Sequence, residues 1–129
     1  MRQAILGLAA LALSAGAALA DPVLGTWKTE VDDGAYAHVR MRECGAKICG
    51  HIVRTFKDGG EYESENIGKM LVRQMEPRGG GHYRGRVWRP SNNRVYIGKI
   101  DLQGEDRLKL RGCVAGGLIC AKQTWTRVN

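Results

Sequence analysis

The sequence predicts an all-β fold, a small up-and-down antiparallel β-barrel of about eight strands. Three observations point there. Apolar and polar residues alternate over short runs along most of the chain, the period of half-buried strands. Short Gly, Asp and Asn turns separate the runs, and no apolar pattern of helical period is long enough for a useful helix. The first and last runs each carry a tryptophan, in "GTWKTE" (Gly25 to Glu30) and "QTWTRV" (Gln123 to Val128). A meander of hairpins leaves two exposed edges, and pairing its first strand with its last removes both. A two-sheet sandwich is the alternative architecture.

Residues 1–20, "MRQAILGLAALALSAGAALA", join one positive charge to a short Ala/Leu run ending in Ala18-Leu19-Ala20. This predicts a secretory signal cleaved before Asp21. The run is short for a membrane span of ~20 residues, so no span is expected. Residues 21–129 are then one domain, periplasmic or secreted.

"VLGTWKTEV" places Val23, Gly25, Trp27, Thr29 and Val31 on one face, and "DDG" (Asp32 to Gly34) supplies turn residues that tolerate positive φ. In "AYAHVRMR" Ala35, Ala37, Val39 and Met41 face inward, against Tyr36, His38, Arg40 and Arg42 outward. A third strand spans Ile48 to Phe56. "KDGGEYESENIG" is charged and without apolar period, and reads as one long loop. Lys69 to Met75 reads as a strand, in preference to one short helix, and "EPRGGG" breaks the chain before the next strand at His82 to Pro90. "SNN" turns into Arg94 to Gln103, and "GED" into "RLKLRGCV", where Leu108 and Leu110 alternate with Arg107, Lys109 and Arg111. The last strand runs from Ile119 to Val128 through Trp125. Closure would bring Arg127 or Trp125 near Trp27 at one barrel end, and an arginine over an indole adds ~0.5–2 kcal/mol. Gly25, Trp27, Trp125 and Arg127 are therefore the expected closure residues, and a ligand would enter from the opposite end, away from the tryptophans.

Four cysteines in an exported chain predict two disulfides. Spacing pairs Cys44 with Cys49 across "CGAKIC" and Cys113 with Cys120 across "CVAGGLIC". A redox pair or a zinc site would favour C-x-x-C, which neither segment contains.

The formal net charge is +7, with thirteen arginines and seven lysines, a balance suited to bidentate contact with phosphate or carboxylate. An exported protein rarely meets nucleic acid, so envelope polyanions or anionic lipid headgroups are the expected anionic partners. Arg40, Arg42, Arg84, Arg86, Arg107, Lys109 and Arg111 occupy outward positions of several strands and form a candidate basic patch.

"GTW", "CGAKICGHIV", "IGKMLVRQMEP", "VWRPSNNRVYIGKI" and above all "LKLRGCVAGGLICAKQTWTRV" resemble the bacterial exported family catalogued as domain of unknown function 2147, over nearly the whole mature chain. The resemblance implies a lipocalin-like or calycin-like small barrel, and implies no catalytic site or ligand. "GTW" is also similar to the Gly-x-Trp of lipocalin first strands, whose tryptophan packs against a late arginine. Arg89 before Pro90 departs from the smaller or acidic residue expected in this family's turn, so no polar role is expected there.

Candidates for catalysis are few. His38, His51 and His82 fall on different strands, and Ser64 and Ser91 lie in turns without a G-x-S-x-G context. Asp58, Glu61, Glu63 and Glu65 do not follow an EF-hand pattern. "RGGGHYRG" precedes a strand, not the helix that a phosphate cradle needs. No enzyme activity, metal or cofactor is expected. Two functions remain: a barrel binding one small hydrophobic or amphipathic ligand, with Ala35, Ala37, Gly85 and Gly98 leaving interior room, and an interaction module using its basic exterior on polyanions or a protein partner.

Overall fold

A computed structural model describes residues 20–129. The export signal read over residues 1–20 lies, but for its last residue, outside them. The described residues form nine strands: β1 (Gly25–Lys28), β2 (Ala35–Cys44), β3 (Lys47–Lys57), β4 (Gly60–Tyr62), β5 (Met70–Gly79), β6 (His82–Arg89), β7 (Arg94–Leu102), β8 (Arg107–Val114) and β9 (Ile119–Arg127). Eight close into an antiparallel barrel in the order β2-β1-β9-β8-β7-β6-β5-β3, with β3 returning to β2. Closure is made by β1 against β9, where Trp27 lies opposite Arg127 and Lys28 opposite Thr126. Pairing the two ends leaves no long edge among these eight strands.

Three stretches differ from the sequence expectation. The first strand ends at Lys28, short of Val31, because the Thr29 backbone and hydroxyl turn to bond Ala37, leaving Val31 in solvent. The charged stretch after β3 is not one open loop: β4 folds back on β3, with Thr55 opposite Tyr62 and the Arg54 guanidinium paired to Glu61 at 2.8 and 2.5 Å. Nor does Glu76-Pro77 break the chain. β5 runs on to Gly79 by bulging against β6 between Arg73 and Glu76 and again between Pro77 and Gly79, a device that absorbs residues unable to keep the ladder.

The inward residues make two unequal halves. Val23, Trp27, Val39, Met41, Val72, Met75, Ile100 and Leu108 are fully buried and close the end nearest Asp21 and Asn129. Here Gly50, Gly85 and Gly98 leave no room. A Cβ on Gly50 would meet Met41 Sδ at 2.7 Å, and one on Gly98 would meet Met75 Cε at 3.1 Å. At Gly85 the obstacle is backbone: the Gln74 carbonyl, turned inward at a residue with φ of 50°, would lie 2.5 Å away. These glycines let methionines and a neighbouring strand fill the barrel. The disulfide Cys44–Cys49 closes the β2–β3 hairpin at this end, and Cys113–Cys120 joins β8 to β9 below a 3-10 turn at the other.

Candidate functional site

The half of the barrel away from Asp21 and Asn129 is hollow. A cavity of about 360 Å³ opens between the β1–β2, β3–β5 and β6–β7 connections and the facing stretches of β8 and β9. Its wall is mostly apolar: Ala35 and Ala37 from β2, Ile52 from β3, Leu71 from β5, Val87 and Trp88 from β6, Leu110 from β8 and Trp125 from β9. Gly112 and Ala121 lie opposite each other at inward positions of the pleat and are small, and this is where the space arises. Ala35 and Ala37 therefore leave room as their sequence pattern suggested, whereas Gly85 and Gly98 do not.

Trp125 corrects a second expectation. Its indole is buried in the wall, with Nε1 donating to Gln123 Oε1 at 2.9 Å, so one of the two end tryptophans belongs to the cavity. Trp27 does not. Its Nε1 donates to the Val23 carbonyl and the Arg127 guanidinium lies 4.3 Å from its ring centroid. Arg127 also donates to the carbonyls of Leu24, Pro22 and Glu105 at 2.8, 2.6 and 2.6 Å. One side chain thus ties the start of the barrel, its last strand and the β7–β8 turn together, while Gly25, with φ of 119°, passes so close that a Cβ would lie 2.7 Å from Arg127 Nη1.

Polar groups ring the mouth. Arg89 at the end of β6 reaches across it to Asp32 in the β1–β2 connection, with two hydrogen bonds of 2.8 Å. The arginine that departs from the family's turn therefore has a polar role after all. Its hydrogen bonds hold the Asp32 carboxyl below the usual carboxylate range, against a smaller upward push from burial. Ser91 also donates to Asp32. Such an anion, stabilised from two sides, is a poor general base for that hydroxyl. Asn92 donates to the Tyr96 hydroxyl at 2.7 Å and draws that phenol's pKa down. Tyr62 of β4, with Ser64 and Asn66 beyond it, completes the rim.

The three histidines are not brought together. His38 tilts against Phe56 outside β2 and β3, and burial with the nearby Arg54 and Lys28 charges lowers its pKa. His51 is on β3 with its Nδ1 buried and unpartnered. His82 pairs with Asp101 at 2.5 Å. Among the described residues, no group of three or more His, Cys, Asp or Glu is arranged to hold a metal, and no helix is long and apolar enough to cross a membrane.

The candidate basic residues divide. Arg40 and Arg42 are on β2, with β1 and β9 between them and β8 with its Arg107, Lys109 and Arg111, and Arg40 donates to Thr26. The continuous array lies instead across β6 to β9, where Arg84, Lys99, Arg111 and Lys122 stand in one cross-strand row. Arg86 flanks it on β6 and Lys109 on β8. Sequence alternation found two of the four; Lys99 and Lys122 are also outward positions, and only hairpin register aligns them.

A closed eight-stranded meander with one end plugged by Trp and Arg and the other open is the architecture of a lipocalin-like barrel. The chain belongs to the family described as "Uncharacterized protein conserved in bacteria (DUF2147)", whose model matches residues 25–127. In fold it is similar to protein HP1028 from the human pathogen Helicobacter pylori, which is described as belonging to the lipocalin family. That similarity has a TM-score of 0.68 at 12% identity, covering 83% of each chain. No curated protein sequence matches the chain.

Proposed function

We propose that the barrel binds one small hydrophobic or amphipathic molecule, its apolar part against Trp125, Leu110, Val87 and Leu71 and its polar end at the rim. The observation that carries this reading is the open cavity of about 360 Å³, at the lower end of the ~300–1,000 Å³ typical of ligand pockets. The reading is binding rather than catalysis, since Ser91, the hydroxyl beside a carboxylate at the mouth, faces an Asp32 of reduced basicity. Residues 1–20 serve as the export signal, residues 21–129 form one domain, and the site of action is the periplasm or the exterior. The two disulfides fit an oxidising compartment.

The test is native mass spectrometry and thermal unfolding of residues 21–129 against fatty acids, lysophospholipids and small aromatic compounds. The expected result is a one-to-one complex with a concentration-dependent rise in Tm, equivalent to about 2.7 kcal/mol at a hundredfold excess over Kd. Gly112→Leu, which directs its side chain into the cavity, should remove the rise. A wild-type chain that takes up none of these compounds, or a Gly112→Leu variant that binds equally well, would refute the reading.

A further inference from the structure

We infer that the β8–β9 tip and the cationic row beside it form a docking surface for an anionic bilayer. The tip is unusual for a protein surface. Leu118 is 87% exposed, Ile119 65% and Val114 46%, all within one hairpin whose turn lies against Lys99 and Arg84 on the outer face of β6 and β7. Its form is held from below. The Cys113–Cys120 bond fixes the base, the hairpin pairs as far as Val114 with Ile119, and Lys99 Nζ donates to the Gly117 carbonyl at 3.1 Å. The apolar side chains are therefore presented on a braced turn.

The row of Arg84, Lys99, Arg111 and Lys122 runs directly below. Like charges in register across strands repel, so such a row is a feature that folding alone would not favour. Arg111 has a carboxylate neighbour, Asp101 at 3.0 Å. Among the described residues no carboxylate comes within 4.0 Å of Arg84, Lys99 or Lys122. Glu76, opposite Arg84 in register, turns to Lys47 and Arg78 instead.

Exposed aliphatic side chains beside unpaired cations match the two layers of a membrane surface. Apolar groups enter the acyl boundary while lysine and arginine remain with the phosphates. A soluble polyanion would use the cations and leave Leu118 and Ile119 without a role, which is why the bilayer is the occupant. This surface lies outside the barrel and does not depend on what fills the cavity.

The test is co-sedimentation of residues 21–129, which contain the whole closed barrel, with two kinds of vesicle. One kind is equimolar phosphatidylglycerol and phosphatidylcholine, the other phosphatidylcholine alone. Binding should require phosphatidylglycerol and weaken with salt. Lys99→Ala and Lys122→Ala should each reduce it about fivefold, and the exposed change Leu118→Asp should abolish it. Gly112→Leu, with its cavity blocked, should sediment like wild type even if no cavity ligand is ever found. Equal binding to both vesicles, or full binding by Leu118→Asp alongside loss by the lysine variants, would overturn the proposal. Loss of binding in Gly112→Leu would overturn it too, by assigning the effect to the cavity.

Discussion

Gly85 and Gly112 show that the same residue type serves opposite ends in one barrel. At Gly85 the missing side chain admits the Gln74 carbonyl of the bulged β5. At Gly112 a Cβ would meet Tyr96 and Val87 at ordinary distances of 3.6 Å, because the space beyond is cavity. Gly85→Ala should therefore destabilise the protein by about 1–3 kcal/mol, the cost of overpacking against groups that cannot yield. Gly112→Ala should be neutral or stabilising by up to ~1 kcal/mol, since it restricts the unfolded chain at a strand position. Urea unfolding of the two variants beside wild type measures both, and an equal loss at the two glycines would show that both regions are packed alike. From sequence, both glycines are simply small residues in strand patterns. What separates them is a bulge at Gln74, a non-glycine residue with φ of 50°, for which the local sequence carries no turn signal.

Strands were legible where alternation was unbroken. β2 and β8 alternate over most of their length and are each entered from a polar turn, so burial and turn chemistry point to the same starting boundaries. "DDG" behaves as its composition predicts, with φ of 54° at Asp33 and 80° at Gly34. Legibility fails where an element is held by something distant. β4 exists because three residues find an unoccupied stretch of β3, and β5 outlasts its proline because bulges absorb it.

The connection bearing Asp32 gains its purpose from Arg89, 57 residues away. That strap across the mouth has a calculable pH dependence. Asp32 titrates below its ordinary value of about 4, so the strap's stabilisation is complete above that value and is lost as pH falls through the lowered folded pKa. His38, also lowered, weakens the fold in the same direction as pH falls below about 6.5. Comparing wild type with Asp32→Asn isolates the strap: the stability gap should be present at neutral pH and shrink toward zero at low pH. A gap independent of pH would remove the charge on Asp32 as its source.

At the scale of the whole barrel, closure depends on few groups. β1 contributes only four residues to the sheet, and its pairing with β9 is reinforced by Arg127, which stacks on Trp27 and satisfies three carbonyls from two separate segments. Arg127→Ala should cost about 3 kcal/mol, from the cation–π contact and charged hydrogen bonds together. Arg127→Lys should recover less than half, because an ammonium lacks the planar fork that reaches several carbonyls at once. Chemical denaturation tests this, and a lysine variant as stable as wild type would mean that charge alone holds the end.

The sequence by itself determined the class of fold, the pairing of its cysteines and the meeting of its two ends. These follow from local alternation, short cysteine spacing and the need to remove sheet edges, all of which act near in sequence or at the chain's two limits. Only the tertiary structure decided which half of the barrel is filled and which is hollow, that Trp125 lines the cavity while Trp27 plugs the far end, and that Lys99 and Lys122 complete a row with Arg84 and Arg111. Each of these depends on the register between strands and on bulges that shift it, and a one-residue change of register moves every side chain to the other face.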